Sequence, residues 1–268
     1  MHLPHEDAAD QPAGLGTVRS SWSPALPGGL AEAYRRHFEV VPATSEQLRR
    51  HGYRIRHEVY CRELGYEPVN ADNLEQDAYD AQSIHFLVRS AATGSFVGCA
   101  RLVLPHPENP SAPLPFERIC DAHLDADALA LLQNNRRQLA EVSRLAIVSH
   151  YRRRRGESCH PVTQADVGVQ DGRARLPYLT LGLYMALLAL ARKQGLKRLF
   201  VLTEPALARS LGRLGVGLRI IGIPVNHRGS RLPAVMEVDA IIAGLSPEVR
   251  SLFDTISLEL DPAASSKE

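Results

Sequence analysis

Glu141-Val142-Ser143-Arg144-Leu145-Ala146-Ile147-Val148 begins with charged and polar groups and carries Val142, Leu145 and Ile147 along its length. It reads as the central strand of a sheet. Strand side chains alternate between faces, so Glu141 and Arg144, three apart, are expected on opposite sides. A shared face would require a bulge, which would also leave a backbone N–H unpaired.

Downstream lies a connector, Ser149 to Arg175, that contains the run Arg152-Arg153-Arg154-Arg155. Pro177 then suits the first turn of a helix that Gly195 would stop. Apolar residues cover this helix nearly all round, which predicts burial. A strand over 198–202 and a helix over 205–214 follow. Strands over 217–223 and 234–238 are expected to pair as a hairpin, and an amphipathic helix over 247–258 closes the chain. Upstream, 125–138 reads as a helix. The stretch 105–115 holds five prolines in eleven residues and reads as loop. Strands over 84–89 and 96–104 are joined by Ala92-Thr93-Gly94-Ser95. Before them, Thr44 or Ser45 caps a helix running to about Leu64, and 67–80 is loop. A short helical turn leads into a strand over 38–41. Residues 1–30, rich in Pro, Gly, Ser and Asp, read as a mobile tail. The expected architecture is one α/β (α+β) domain over 31–245, a mixed and mostly antiparallel sheet flanked by helices. A C-terminal helix and tail occupy 246–268.

Composition narrows the function classes. The chain has 268 residues, 44% hydrophobic and 23% charged, with 31 Lys and Arg against 30 Asp and Glu. No whole-protein field draws it to nucleic acid or membrane. Cys61, Cys99, Cys120 and Cys159 form no CxxC pair and read as thiols in a reducing compartment. The start, Met1-His2-Leu3-Pro4, has no signal-peptide pattern. The longest apolar stretch falls short of the ~20 residues that span a bilayer. These features predict a cytoplasmic protein with no transmembrane segment. His85, His150 and His160 have no metal-site spacing, so no metal is assigned.

Three polar segments place charges where a fold normally wants apolar groups: Arg56-His57-Glu58-Val59-Tyr60 on to Gly65-Tyr66; Asp77-Ala78-Tyr79-Asp80; and Arg101, then Glu141-x-x-Arg144. With the element order above, their spacing resembles the GNAT acyltransferase fold. Within it, they are similar to the autoinducer (acyl-homoserine-lactone) synthases and the N-acyl amino acid synthases. The acyl-homoserine-lactone synthases carry Arg-x-x-x-Phe, a Trp, Asp-x-x-Asp, an Arg, then Glu-x-x-Arg. Here Tyr60 stands at the Phe position and Tyr66 at the Trp position. The stretches 38–43 and 56–68 look closer to the PEP-CTERM/exosortase-system-associated acyltransferases, grouped with the N-acyl amino acid synthases.

The resemblance implies transfer of a fatty acyl group to the amine of an amino acid or similar small amine. The donor it implies is the acyl-phosphopantetheine of acyl carrier protein, with acyl-CoA as the other candidate and no permanently bound cofactor. Glu141 is the candidate base, since an ammonium must lose a proton before attack. Arg56, Tyr60, Tyr66, Asp77, Asp80, Arg101, Ser143 and Arg144 form the implied substrate-binding set. Arg101 on a strand requires an anionic partner. A main-chain N–H at Leu145 or Ala146 would hold the thioester oxygen. Arg153-x-x-Gly156-x-Ser158 only partly copies a CoA phosphate loop, so Arg152, Arg153, Arg154 and Arg155 are expected to dock the acidic carrier protein. Leu211 stands where many GNATs place a Tyr general acid. The same segments leave two alternatives: a homoserine-lactone synthase using S-adenosylmethionine, and a non-catalytic binder of acyl carrier protein or acyl amino acids.

Overall fold

The computed structural model describes residues 29–120, 123–152, 169–170, 173–174, 178–213 and 215–261. Helix α1 (Gly29–His37) runs directly into strand β1 (Phe38–Pro42). Helix α2 (Glu46–Arg56) follows, then a π-helix, His57–Glu63. Loop 64–77 ends in a 3₁₀ turn, Ala78–Gln82, before β2 (Ser83–Ser90) and β3 (Phe96–Val103). Helices α3 (Pro115–Cys120) and α4 (Ala126–Gln133) lead to β4 (Leu139–Ile147) and a turn of helix, α5 (Ser149–Arg152). Two residue pairs, β5 (Val169–Gln170) and β6 (Arg173–Ala174), form a separate small ribbon. Then come α6 (Tyr178–Lys193), β7 (Arg198–Thr203) and α7 (Pro205–Arg213). The chain finishes with β8 (Arg219–Ile220), β9 (Val225–Asn226), β10 (Ser230–Glu237), α8 (Val238–Gly244) and α9 (Pro247–Glu259).

One sheet orders the strands β1-β2-β3-β4-β7-β10-β8, with β9 also paired to β10. Every neighbouring pair is antiparallel except β4 and β7. That parallel junction covers only Leu139↔Arg198 through Val142↔Val201. Beyond it the strands separate. β4 continues along β3 through Ile147, while Leu202 and Thr203 of β7 follow β10. The open V between them is where the cleft described below forms.

Helices cover both faces, as the mixed α/β, mostly antiparallel reading requires. On one face Phe86, Leu102, Val142, Leu199 and Met236 pack with α1, α6, α8 and α9 in the main core. The α6 helix is buried all round from Leu179 to Ala191, as its apolar composition predicts. Gly182 on α6 meets the ring of Tyr34; a Cβ there would stand 2.2 Å from that ring. Tyr34 is fully buried and cannot swing away. Gly182→Ala is therefore expected to cost roughly 1–3 kcal/mol in denaturant unfolding, and unchanged stability would contradict this packing.

The other face carries two smaller clusters. Phe116 stacks on Phe200 at 4.9 Å, with Leu139, Val103 and Val235 beneath α3 and α4. Leu87, Cys99 and Ala146 lie beneath Ile55, Val59 and Tyr60 of α2 and the π-helix. Between these clusters the sheet bears charged side chains in place of apolar ones.

Three sequence expectations need correction. Helix 44–64 starts as read, with the Ser45 hydroxyl accepting from the Leu48 N–H at 3.2 Å, but its second half is the π-helix, closed by Leu64 N–H to the Val59 carbonyl. The stretch 125–138 is not one helix: Asn134 is extended and Asn135 takes φ 52, a left-handed conformation that Asn tolerates and that ends α4. The late hairpin pairs antiparallel as expected, but β8 is two residues long, β10 begins at Ser230, and Val238 already belongs to α8.

Candidate active site

Arg144 adopts φ 51, and the register with β3 slips beside it. Arg101 faces Ser143 but Cys99 faces Ala146, so Arg144 and Leu145 together oppose Ala100. That is a β-bulge, and its effect is to turn Arg144 back to the side that Glu141 faces. The strained conformation is over-determined by partners. The Arg144 guanidinium lies 3.0 Å from Glu75 and 3.0 Å from Asp77, and 5.8 Å over the Tyr60 ring.

Behind Arg144 runs a buried ion network. Arg56, 2% exposed, donates to Glu75 and to Asp80. Arg101, 1% exposed, donates to Asp77 at 2.7 Å and also to Asp80. Asp77 and Asp80 form a reciprocal capping box on the 3₁₀ turn, which fixes both carboxylates. Burial pushes both acids up, but the guanidiniums outweigh it and hold Asp77 down to about 2 and Asp80 below the usual range. The Arg101 Nε is buried with no hydrogen-bond partner among the described residues.

The π-helix serves the same region. Its wide turn aims Tyr60 inward, where the hydroxyl donates to the Leu145 carbonyl at 2.8 Å. This bond ties the π-helix to the bulge.

Where β4 and β7 diverge, a cleft of about 160 Å³ passes between them. Tyr60, Tyr66, Glu141, Ser143 and Arg144 line it from one face of the sheet, and Tyr184 and Leu207 from the α6 face. Glu141 is 5% exposed, and its Oε2 accepts from the Phe116 N–H at 2.8 Å. Burial pushes its carboxyl up to about 8 against the pull of that N–H and of Arg101 and Arg144. A carboxyl so placed takes and gives protons near neutral pH.

The sequence-derived set therefore divides. Tyr60, Tyr66, Glu141, Ser143, Arg144 and Leu145 meet at the cleft. Arg56, Asp77, Asp80 and Arg101 lie outside its lining, in the network that supports it. Arg56 is thus enclosed rather than on a solvated helix face. Ala146 is fully buried opposite Cys99, while Leu145 lines the cleft. Arg152 closes α5; Arg153, Arg154 and Arg155 lie outside the described residues. No described helix is long and apolar enough to cross a membrane.

The opposite wall was not read from the sequence. Glu204 follows the end of β7, the turn between β9 and β10 contributes His227 and Arg228, and β10 contributes Arg231. Asn226-His227-Arg228-Gly229 did hold a usable signal: Arg228 and Gly229 take φ 57 and φ 96, the left-handed pair of a tight hairpin turn. Arg228 reaches back across the cleft mouth to Glu67, with its guanidinium 5.7 Å over the Tyr66 ring.

Residues 55–160 match the acetyltransferase (GNAT) domain family. Solved structures match over most of the chain. TofI, in a ternary complex with an inhibitor and MTA, is 20% identical, with 85% of this chain and 99% of that chain covered at a TM-score of 0.54. The fold is the GNAT fold. BjaI, a CoA-dependent acyl-homoserine lactone synthase solved with MTA, shares the GNAT fold at 17% identity and TM-score 0.52, covering 84% of this chain and 90% of its own. FeeM, an N-acyl amino acid synthase from uncultured soil microbes, shares it at 13% identity and TM-score 0.51, covering 78% and 94%. No curated protein matches the sequence. The GNAT domain match, together with the fold, supports an acyltransferase.

Proposed function

We propose that the protein is an N-acyltransferase that moves a fatty acyl group from acyl carrier protein to the amine of an amino acid or similar small amine. The observation that carries this reading is Glu141, a buried carboxyl with its pKa near 8 at the edge of a gap that crosses the sheet. The thioester enters from the α6 face, along Tyr184 and Leu207, and the amine from the Glu141 face. Glu141, acting directly or through one water, takes a proton from the ammonium. The free amine then attacks the thioester carbonyl carbon, and its oxygen becomes an oxyanion held by the Leu145 N–H at the bulge. Collapse of the intermediate breaks the C–S bond; the pantetheine thiolate leaves and takes up a proton, while the nitrogen sheds its second one.

Arg56, Asp77, Asp80 and Arg101 act one layer back, fixing Arg144 and the Tyr60 side of the cleft. The carrier-protein donor is supported by the arginine run after β4 and by the partial phosphate loop. Acyl-CoA remains the competing donor.

A mass-spectrometric product search tests this directly. The protein is incubated with palmitoyl carrier protein or palmitoyl-CoA, a pool of amino acids and S-adenosylmethionine. The expected product is an N-acyl amino acid, formed faster from the carrier protein. An acyl-homoserine lactone would instead make the acceptor S-adenosylmethionine. No product from either donor, with carrier-protein binding intact, would leave a non-catalytic binder.

A further inference from the structure

The turn between β9 and β10 and the start of β10 bring to the cleft two arginines, Arg228 and Arg231, that no part of the acyl-transfer chemistry uses. Three guanidiniums line the cleft, Arg144, Arg228 and Arg231, against two carboxyls, Glu141 and Glu204. Arg231 is 8% exposed; its Nη1 lies 2.5 Å from Glu204 and its Nη2 donates to the Arg228 carbonyl at 3.0 Å. The His227 N–H bonds the Gly229 carbonyl at 2.9 Å and so holds the turn that presents Arg228, while Arg231 is held on β10 opposite Val225. Each guanidinium also has a carboxylate partner: Glu204 for Arg231, Glu67 for Arg228, and Glu75 with Asp77 for Arg144. His227 lines the cleft beside these arginines. Its pKa is lowered by burial and then by Arg228, Arg231 and Arg144, with only Glu67 opposing.

The geometry points to an anion site: we infer that Arg228 and Arg231, with Arg144, hold the carboxylate of an amino-acid acceptor, so that amines without a carboxylate are poor acceptors. A guanidinium offers five N–H donors in a fork that matches a carboxylate, so one edge can keep its protein partner while another meets the ligand. The side of the sheet identifies the ligand as the acceptor. The odd-numbered residues of β10 face the Phe200 cluster, the face that bears Glu141, so Arg231 and Glu141 share a face. Arg228 stands over Tyr66 on that same face. A carboxylate anchored there leaves its α-amine a short reach from Glu141. The phosphate of a pantetheine arm shares this anion chemistry, but on the proposed reading it arrives from the α6 face. The inference rests on the acyltransferase reading for the identity of the acceptor.

Calorimetric titration without acyl donor tests it independently of turnover. The probes are amino acids and their decarboxylated partners: phenylalanine and phenethylamine, tyrosine and tyramine, leucine and isoamylamine. Phosphopantetheine and pantetheine form a third arm. At least one amino acid is expected to bind ten-fold or more tightly than its partner amine. Arg231→Gln and Arg228→Gln should each erase most of that preference with amine binding unchanged, and Arg231→Lys should restore part of it. Arg228, at the turn and 23% exposed, serves if Arg231→Gln fails to fold. The inference is overturned if no pair shows a preference in the native protein or if the preference survives both glutamine variants. It is equally overturned if the variants lose phosphopantetheine instead. Selective amino-acid binding without acyl transfer would remove the proposed activity and keep this site. Efficient transfer to phenethylamine would do the reverse.

Discussion

Glu141→Gln is expected to lower kcat/KM for acyl transfer by about 10²–10⁴-fold, the span that a positioned general base contributes. Its shape is nearly retained, because the glutamine carbonyl can still accept the Phe116 N–H that Glu141 accepts at 2.8 Å. The pH dependence separates loss of a base from loss of structure. A base works ionised, so the native rate should rise with pH and level off above about 8, the value to which burial pushes this carboxyl. The variant should lose that limb and keep only the titration of the acceptor amine. Stability should move in the opposite direction to activity. The folded-state pKa lies above the ordinary 4.5, so the stability linked to Glu141 is fully present below 4.5 and is lost as pH rises through about 8. The neutral glutamine feels no such loss, and at pH 9 the variant should unfold at a higher temperature than the native protein. A variant with the native rate and pH profile would remove Glu141 from the mechanism.

Asp80→Ala should have the largest effect on stability. Its carboxylate accepts from the two most deeply buried guanidiniums of the network, Arg56 and Arg101, and from the Asp77 N–H at 2.8 Å. Removing it takes the shared anion from two buried cations and leaves Arg56 to Glu75 and Arg101 to Asp77, a loss of up to about 3–5 kcal/mol, the cost of breaking a buried pair. Acid titration gives a second readout. Asp77 and Asp80 both have depressed pKa values, Asp77 at about 2, so their contribution is complete above the ordinary 3.8 and is lost as pH falls through about 2. The variant should start lower and show a shallower acid limb. Urea unfolding of the two proteins at pH 7 and pH 3 measures both effects, and equal curves would show that the network carries no structural load.

The sheet, its flanking helices and half of the cleft were legible in the sequence because they depend on periodicity and on a few spaced charges. The all-apolar α6 could only be buried, and Arg101 on an otherwise apolar strand demanded acids, which it finds in Asp77 and Asp80. Glu141 and Arg144 mark the limit of that logic. Strict alternation sends them to opposite faces, and only the bulge, left open as the exception, returns them to one. Arg56 was hard for a different reason: its partner Glu75 lies nineteen positions away, beyond any helical rule. Arg228 and Arg231 fell between the expected strands 217–223 and 234–238 with no role assigned, because nothing local tells that the turn folds back over Tyr66 and Glu67. The family match stops at residue 160 and so also omits this wall.

The divergence of β4 from β7 also fixes a calendar for the growing chain. The strands β1 to β3, and β4 on its β3 side, pair with their neighbours along the sequence, and that half of the sheet is complete once Ile147 has left the ribosome. Short-range pairing of this kind forms early. The parallel junction must wait for β7, and the arginine wall for β10. During translation Glu141 and the charged network therefore stand on a half-sheet whose β4 edge is still open, and an unpaired edge is the feature most prone to wrong partners. The same parting of strands that admits a substrate in the finished protein thus marks the last seam to close in its birth.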